Sequence, residues 1–510
     1  MRKFLALVLG VLFVLSFAAS AFAIHAEIPS ETQAVVAAKD IQITLSGEIR
    51  TRGWYTKNIG EISETTNSYG LLNVAGVVEN IVGSTTILVD DDGIPGPSID
   101  DTVITSTDVA DAIAEGIGDV YVLNSTTRTA TKLPKESKSA AWYDERIRLA
   151  VDAKVSPNVE GFVMLESNFG QSDVYTWGNF NSKPTDMNIL ESWILYSGSG
   201  LFGFPSGVKI GHMPLTLGNK EFFDHTKFGD DAIVFFMDPI KPMHIALLTI
   251  KLAGDGSNSV VPAFDNLDAS GSKYNNTDDL DGYVALMTYK INDSNTVGVN
   301  YTFLNQSDLG FSHQNLGIHA NGNIGAFGYT AAGDIQFGKI FKGTDAEAKF
   351  KGYAVQGGLN FNINPVNLRV SGAYGSGSEA DDDDVKEFIT YLGADQHYTL
   401  VYEYQVTSTA GRLYSGLANT TYGNLGIDFN ATKELALSVD GYYLRATKTD
   451  NGISKTAGWE VDGKLKYALA KNLTYQVDAG YFKSGDFYED TYGIDSKGVT
   501  VLRHSLTLSF

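Results

Sequence analysis

The stretch Ile41-Gln-Ile-Thr-Leu-Ser-Gly-Glu-Ile-Arg-Thr-Arg52 alternates apolar and polar residues along its length. Successive side chains of a β-strand point to opposite faces, so this stretch predicts a strand with one apolar and one polar face. The last residues, Leu502-Arg-His-Ser-Leu-Thr-Leu-Ser-Phe510, repeat the pattern and end on an aromatic ring. Both stretches therefore predict strands that lie between two different environments.

Similar segments recur along the whole chain and predict where the other strands lie. We place the strands near 41–57, 141–155, 159–169, 187–197, 207–217, 230–237, 243–253, 281–291, 295–305, 313–321, 325–340, 349–362, 366–376, 419–429, 434–446, 456–469, 472–483 and 499–510. Short turns rich in Asn, Asp, Pro and Ser alternate with long connections. This sorting is typical of a barrel and not of a sandwich. The predicted fold is all-β: a transmembrane antiparallel β-barrel of about 18 strands (roughly 16–18) with short periplasmic turns and long extracellular loops.

The composition fits such a barrel and excludes several other classes of protein. The chain has 53 Gly, 26 Tyr and 27 Phe, which suits strands with aromatic ends and tight turns. It has no Cys, which excludes a disulfide scaffold, thiolate metal sites and covalent haem attachment. Its net charge of −22 argues against nucleic acid and anionic lipid headgroups as partners.

The first residues are predicted to be an export signal. Arg2 and Lys3 form a basic start, an apolar run covers 4–17, and Ala21-Phe-Ala23 has the small-residue pattern of a cleavage site. We therefore assign 1–23 to a signal peptide that is cleaved near Ala23. An uncleaved membrane anchor is the alternative.

Two further parts of the chain depart from the strand pattern. Residues 24–40 are predicted to be a periplasmic N-terminal segment, in which 31–39 could form a short helix. The barrel is assigned to 41–510. Its first long connection, 58–140, exceeds an ordinary loop and carries apolar runs of its own. Such a segment either folds as an extracellular lid or narrows the lumen, and we favour a partial constriction.

The polar strand faces are predicted to line an aqueous lumen, which side chains cannot fill at this strand number. Charged residues on these faces are Arg50, Arg52, Arg146, Arg148, Arg503, Glu48, Asp144, Glu166, Asp440 and Asp462. Because closure makes the first strand a neighbour of the second and the last, the arginines are expected to form a basic ladder on one wall. Such a ladder would attract anionic groups. The alternative is that these charges only pair with one another in the wall.

No catalytic, metal or cofactor site is expected from the residue pattern. Runs of aspartate such as Asp90-Asp-Asp92 and Asp381 to Asp384 lie between strands and are interpreted as solvated loop tips. A calcium site at one of them is the alternative. His225 beside Asp224 could be imagined as a catalytic pair, but no partnered nucleophile accompanies it.

Three stretches resemble known outer-membrane proteins. A final strand that ends in Phe510 is similar to the assembly signal of bacterial outer-membrane proteins. Lys209-Ile-Gly-His-Met-Pro-Leu-Thr-Leu-Gly218 resembles a strand of the alginate-export-like porin family, as does Leu316-Gly-Ile-His-Ala-Asn-Gly-Asn-Ile-Gly325. His212 stands where that family usually has Arg. The resemblance implies a porin-like barrel and leaves the substrate open.

These features predict a porin of a Gram-negative outer membrane that allows passive diffusion of ions and small hydrophilic solutes. Two alternatives stay open: a barrel that sheathes a partner such as a multihaem cytochrome, and a channel for polysaccharide export. The expected partners are outer-membrane lipid and small solutes, and a homotrimer is one arrangement that general porins use. No enzymatic activity is expected.

Overall fold

The computed structural model describes residues 36–38, 41–58, 63–71, 87–89, 102–104, 120–130, 139–168, 175–177, 186–199, 202–253, 280–307, 310–344, 347–379, 382–392, 396–403, 416–492 and 498–510. Within these ranges, one sheet contains eighteen long strands and three short ones, Val36–Ala38, Tyr175–Thr176 and Ala348–Lys349. The long strands, numbered along the chain, are β1 Ile41–Lys57, β2 Ser139–Ser156, β3 Val159–Asn168, β4 Asp186–Gly198, β5 Ser206–Met213, β6 Asp230–Ile240, β7 Met243–Ala253, β8 Leu280–Asn292, β9 Asn295–Gln306, β10 Phe311–Ile324, β11 Phe327–Ile340, β12 Tyr353–Ile363, β13 Val366–Gly375, β14 Thr420–Asn430, β15 Leu435–Ala446, β16 Thr456–Ala470, β17 Leu473–Ser484 and β18 Val499–Ser509.

The sheet closes on itself because its first strand pairs with both its neighbours. Each long strand is antiparallel to the next along the chain, and β1 pairs with β2 on one side and with β18 on the other. Glu48, for example, lies opposite Arg148 of β2 and opposite Ser509 of β18. Closure leaves none of these strands with an unpaired edge, which is what lipid requires of a spanning sheet. The predicted 18-stranded antiparallel barrel is confirmed.

The last residue, Phe510, extends the pairing between β1 and β18, which we call the seam of the barrel. The amide of Gly47 donates to the carbonyl of Phe510 at 2.7 Å, and the amide of Phe510 donates back to Gly47 at 3.0 Å. A side chain at position 47 would meet the Phe510 ring, because a Cβ there would lie 2.6 Å from Cζ of the ring. Gly47 thus leaves the space in which the terminal aromatic ring lies across the seam.

The outer face of the barrel is apolar over most of its circumference. Ile194, Ile318, Ile335 and Leu425 are 65 %, 60 %, 53 % and 69 % exposed, and each alternates with inward-facing neighbours. Large exposed apolar side chains are costly in water and normal against lipid. Among the described residues, no helix has the length and apolarity that crossing a membrane requires.

Three expectations about local structure were wrong. The strand predicted over 207–217 ends at Met213, because Pro214 has no N–H for the ladder and the chain turns inward there. The helix predicted over 31–39 conflicts with Val36–Ala38, which pairs with Ile41–Ile43 as a strand.

The third error concerns the lumen side of β6 to β8, which is apolar and not polar as expected. Ala232, Ala246, Leu248, Ile250 and Val284 face inward there and are buried. They belong to the same hydrophobic cluster as Leu217, Phe222 and Phe223, which lie in the connection between β5 and β6. The inner wall is apolar at this position because a loop packs against it.

The long connection after β1 is described only in part. Its strands Ser63–Leu71, Val120–Ala130, Ile87–Val89 and Thr102–Ile104 form a separate four-stranded sheet, which accounts for the apolar run at 87–89. Residues 1–35, 39–40 and the parts of 59–138 beyond these four strands lie outside the described residues. The signal peptide and the constriction by 58–140 therefore stay predictions.

Candidate pore constriction

Two of the long connections, the one between β5 and β6 and the one between β13 and β14, fold back into the barrel. We call 214–229 inner loop A, and we call the described residues 382–392 and 396–403 inner loop B. Phe223–Asp224 of loop A pairs in parallel with Tyr391–Leu392 of loop B. The amide of Tyr391 also donates to the carbonyl of Phe222 at 2.8 Å. The two loops therefore form one packed unit.

Inward-facing side chains of the wall hold this unit inside the barrel. Gln336 of β11 donates its amide to the carbonyl of Ile389 at 2.7 Å and accepts from the Ile389 N–H at 2.9 Å. His313 of β10 shares a 2.9 Å hydrogen bond with the Tyr391 hydroxyl. Asn321 of β10 donates to Asn219 of loop A at 2.9 Å. Because these wall groups face inward, the two loops lie within the lumen.

A polar cavity of about 370 Å³ remains between the loops and the opposite wall. The wall contributes Arg50, Arg52, Arg503 and Gln356, and the loops contribute Asn219, Lys220, Glu221, Asp224, Gln396, His397 and Tyr398. Arginines thus form one side of the cavity, and mixed charges and amides form the other. Of the predicted lumen residues, Arg50, Arg52 and Arg503 come together at this place.

Arg52 is held in position by a buried carboxylate. Its Nε and Nη2 donate to Asp144 at 2.7 and 3.1 Å, and the Trp54 indole N–H donates to the same carboxylate at 2.6 Å. Trp54 stacks on Trp142 with ring centroids 5.6 Å apart. Arg52 and Arg503 both lie 5.2 Å from the Trp54 ring centroid. This cluster fixes the direction of two guanidinium groups toward the cavity.

Arg146, Arg148 and Arg503 also form ion pairs along the wall. Arg146 donates through Nε to Glu48 at 3.1 Å, and Arg148 pairs with Glu166 at 2.5 Å. Arg503 pairs with Asp478 at 2.9 Å. Arg50 lies opposite Arg146 in the strand register and lines the cavity. Most of these charges therefore pair within the wall, and Arg50, Arg52 and Arg503 also line the cavity.

The two predicted acidic residues on later strands have different surroundings. Asp440 accepts from Arg369 at 2.8 and 2.9 Å in a cluster that also contains Asp428. Asp462 accepts from the backbone N–H of Leu400 in loop B at 3.0 Å. Asp440 thus pairs with Arg369, which was not among the predicted lumen residues. Asp462 contacts inner loop B.

The loop side of the cavity carries a chain of ionisable groups. His397 bonds Glu403 through Nδ1 at 2.8 Å and lies 3.6 Å from Asp224 through Nε2. Lys220 lies 3.3 Å from Asp224. The hydrogen bonds from Thr226 and the charge of Lys220 lower the pKa of Asp224 against the opposing effect of burial. The carboxylate of Asp224 therefore stays negative and links both loops.

Glu221 differs from its neighbours in protonation. Burial, reinforced by the charge of Asp334, raises the pKa of Glu221 to about 8, while the charge of His397 and a hydrogen bond from Gln356 lower it. The carboxyl group is therefore mostly neutral at pH 7. We call the side of the cavity formed by Arg50, Arg52 and Arg503 the arginine wall. Because Glu221 is mostly neutral, the loop surface that faces the arginine wall carries less negative charge than its number of acidic residues suggests.

His225 and Asp384, which the sequence offered as catalytic or calcium-binding candidates, take part in hydrogen bonds and ion pairs within the fold. His225 is buried, bonds Asp230 at 2.8 Å and stacks on Phe223. Asp384 accepts from the Lys349 N–H at 2.9 Å and pairs with Lys351 at 2.6 Å. Within the described ranges, no group of three or more acidic or histidine side chains is arranged to hold a metal ion.

The comparisons with known proteins agree with this architecture. The family model for alginate export matches residues 277–501, from just before β8 into β18, and the chain is similar to that family there. One of the two resembling stretches, Leu316 to Gly325, lies inside the match, and Lys209 to Gly218 lies outside it. No curated protein matches the sequence.

Several solved structures of Pseudomonas aeruginosa proteins are similar to this chain. OccK11 (OpdR) has a TM-score of 0.50 at 9% identity, covering 91% of this chain and 96% of that one. OccK5 (OpdH) has a TM-score of 0.48 at 11% identity, covering 91% and 98%. The outer membrane protein opdK has a TM-score of 0.45 at 8% identity, covering 90% and 98%. At such low identity, the likeness to OccK11 supports the barrel fold alone.

The two inner loops and the cavity residues that they contribute were not predicted from the sequence. A signal was present in 232–237, Ala-Ile-Val-Phe-Phe-Met, which is apolar at every position and predicts a strand covered on both faces. Phe222-Phe223 and Phe388-Ile389 are apolar pairs within predicted loops, which is unusual for solvated connections. Together these signals indicate loops that pack against an inner wall.

Proposed function

We propose that the protein is an outer-membrane porin through which ions and small hydrophilic solutes diffuse passively. The observation that carries the proposal is the polar cavity between the arginine wall and the two inner loops, inside a closed 18-stranded barrel. The width and charge of the narrowest ring decide which solutes pass a channel. An apolar outer face supports insertion among membrane lipids after export through the signal peptide.

Solutes would be selected by hydrogen bonds and charge at this cavity. Arg50, Arg52 and Arg503 present guanidinium donors on one side, which favour anionic groups. Gln356 and Gln396 offer neutral hydrogen-bond donors and acceptors, which can replace the hydrogen bonds that a solute loses when it sheds hydration water. The channel is therefore expected to prefer small anions and polar solutes over cations. We expect no chemical conversion of these solutes.

The inner loops argue against the alternative function, in which the barrel sheathes a folded partner such as a multihaem cytochrome. Loop A covers the inner wall at β6 to β8, and loop B contacts β11, β15 and β16, so the lumen is already occupied over much of its width. A multihaem protein would require this space. An extended polysaccharide is thin enough to remain a second candidate, and the match to the alginate export family favours it.

Planar-bilayer recording of the purified protein tests the proposal. A small-solute porin should give discrete open steps whose conductance rises with salt concentration, with a reversal potential shifted toward anions in a salt gradient. Long oligouronates should then leave the current unchanged, whereas frequent block by them would favour polysaccharide export. A silent barrel that copurifies with a haem protein would contradict the porin and favour the barrel that sheathes a partner.

A further inference from the structure

Inner loop B is attached to the barrel wall by two carboxylates that lie one above the other on β16. The side chain of Glu460 accepts from two consecutive backbone N–H groups, those of Val401 at 2.6 Å and Tyr402 at 2.8 Å. Asp462, two residues further along the same face, accepts from the N–H of Leu400 at 3.0 Å. Three successive amides of the loop thus point at two wall carboxylates.

This attachment is buried and therefore strong. Glu460, Val401 and Tyr402 are all 0 % exposed, and Leu400 is 2 % exposed. At a site that water does not reach, a lost hydrogen bond cannot be replaced by one to water, so each of these N–H groups would be left without an acceptor. The wall carboxylates therefore determine the position of the loop backbone.

The same stretch of loop B carries the residues that line the cavity. Gln396, His397 and Tyr398 come directly before the attached amides. Tyr398 stacks on Tyr422 of β14 with ring centroids 4.8 Å apart, and its carbonyl accepts from the Tyr442 hydroxyl of β15 at 3.1 Å. The contacts of residues 398–402 with the wall include residues of β14, β15, β16 and β17.

We propose that Glu460 is a positioning residue that sets the opening of the constriction by holding the backbone of inner loop B against β16, with Asp462 as its partner. Glu460 does not face the cavity and touches no solute. Its effect on transport passes through the placement of Gln396, His397 and Tyr398. The proposal rests on the proposed channel function only for its effect on conductance, not for the attachment itself.

Thiol labelling tests the attachment directly, because the natural chain contains no cysteine. Val401→Cys places one thiol where the native side chain is fully buried. A charged, membrane-impermeant maleimide should label this variant slowly in folded barrels. Adding E460Q, which keeps one acceptor oxygen and replaces the other with a donor, should raise the labelling rate at least about tenfold as the loop detaches. Equal labelling rates with and without E460Q would overturn the proposal, as would rapid labelling of V401C alone.

Single-channel conductance tests the consequence for the opening. E460Q should increase the conductance about twofold or more, since current scales with the area of the narrowest ring. E160Q is the matched control: Glu160 is an inward carboxylate of β3 that makes no hydrogen bond to either inner loop within the described residues, and its replacement should leave the step size nearly unchanged. Conductance of E460Q equal to that of E160Q would show that loop B does not set the opening.

A second variant covers the case in which E460Q does not assemble. Y442F removes only the hydroxyl that donates to the Tyr398 carbonyl, and it leaves the ring in place. It should raise both the V401C labelling rate and the conductance in the same direction as E460Q but less. Folding of each variant is checked by the heat-dependent shift in gel mobility. Wild-type values for both readouts in a folded Y442F barrel would refute the positioning role.

Discussion

Replacing Asp144 by Asn should destabilise the barrel strongly, although Asn has nearly the same shape. Asp144 and its partner Arg52 have side chains only 4 % and 10 % exposed, and the carboxylate accepts from Arg52 Nε at 2.7 Å, Arg52 Nη2 at 3.1 Å and the Trp54 indole at 2.6 Å. An amide can accept at only one of its two terminal atoms. Breaking a buried ion pair costs about 3–5 kcal/mol. Because Arg52 also borders the polar cavity, we expect about 3 kcal/mol, near the lower end of that range.

Urea unfolding of barrels in lipid vesicles, followed by tryptophan fluorescence, measures this effect. The stacked Trp54 and Trp142 place two of the five tryptophans next to the altered group. D281N is the control, because the Lys251–Asp281 pair at 2.9 Å is 40 % and 33 % exposed and should contribute at most about 1 kcal/mol. If D144N lowers the free energy of unfolding no more than D281N does, the buried cluster does not hold the arginine wall as described.

Three further perturbations address the cavity and the seam. R50Q removes a positive charge from the lining of the cavity, so the reversal potential in a salt gradient should move toward cations by more than in R146Q, whose side chain is not part of the described lining; equal shifts would argue against the placement of Arg50. Since the pKa of Glu221 is about 8, its carboxyl is neutral below that pH and negative above it. The anion preference should therefore decrease between about pH 7 and pH 9, and E221Q should abolish the decrease; persistence of the decrease in E221Q would assign it to another group. G47A places a methyl 2.6 Å from the Phe510 ring and should reduce the fraction of chains that assemble into heat-resistant barrels, and a wild-type yield would contradict the proposed role of the seam.

The strand pattern could be predicted from the sequence because lipid and water impose a period of two on every strand of a barrel. All eighteen predicted segments overlap an observed strand, including β10 and β11, which are separated only by Gly325 and Ala326. The boundaries failed where a backbone property overrides the alternation. Pro214 ends β5 early because it has no amide hydrogen to donate to the neighbouring strand. The alternation of apolar and polar side chains gives no information about this missing hydrogen bond.

The candidate site was predictable only in part. The arginines of β1, β2 and β18 could be assigned to one wall, because strand order and register follow from the sequence. The partners of these arginines and the two inner loops could not, since loop conformation depends on long-range packing such as that of Phe223 against the β6–β8 wall. The choice of 58–140 as the constricting segment followed from its length and from the apolar runs within it. The loops that form the described cavity are shorter and are attached by Gln336, Glu460 and His313.

Swelling of protein-containing liposomes in solutions of graded neutral sugars tests the central claim most directly. A lumen that is open to water and narrowed by two fixed loops should admit monosaccharides at a measurable rate, admit trisaccharides more slowly, and exclude long dextrans. Liposomes whose barrels are inserted and folded but that do not swell in any sugar would contradict an aqueous channel.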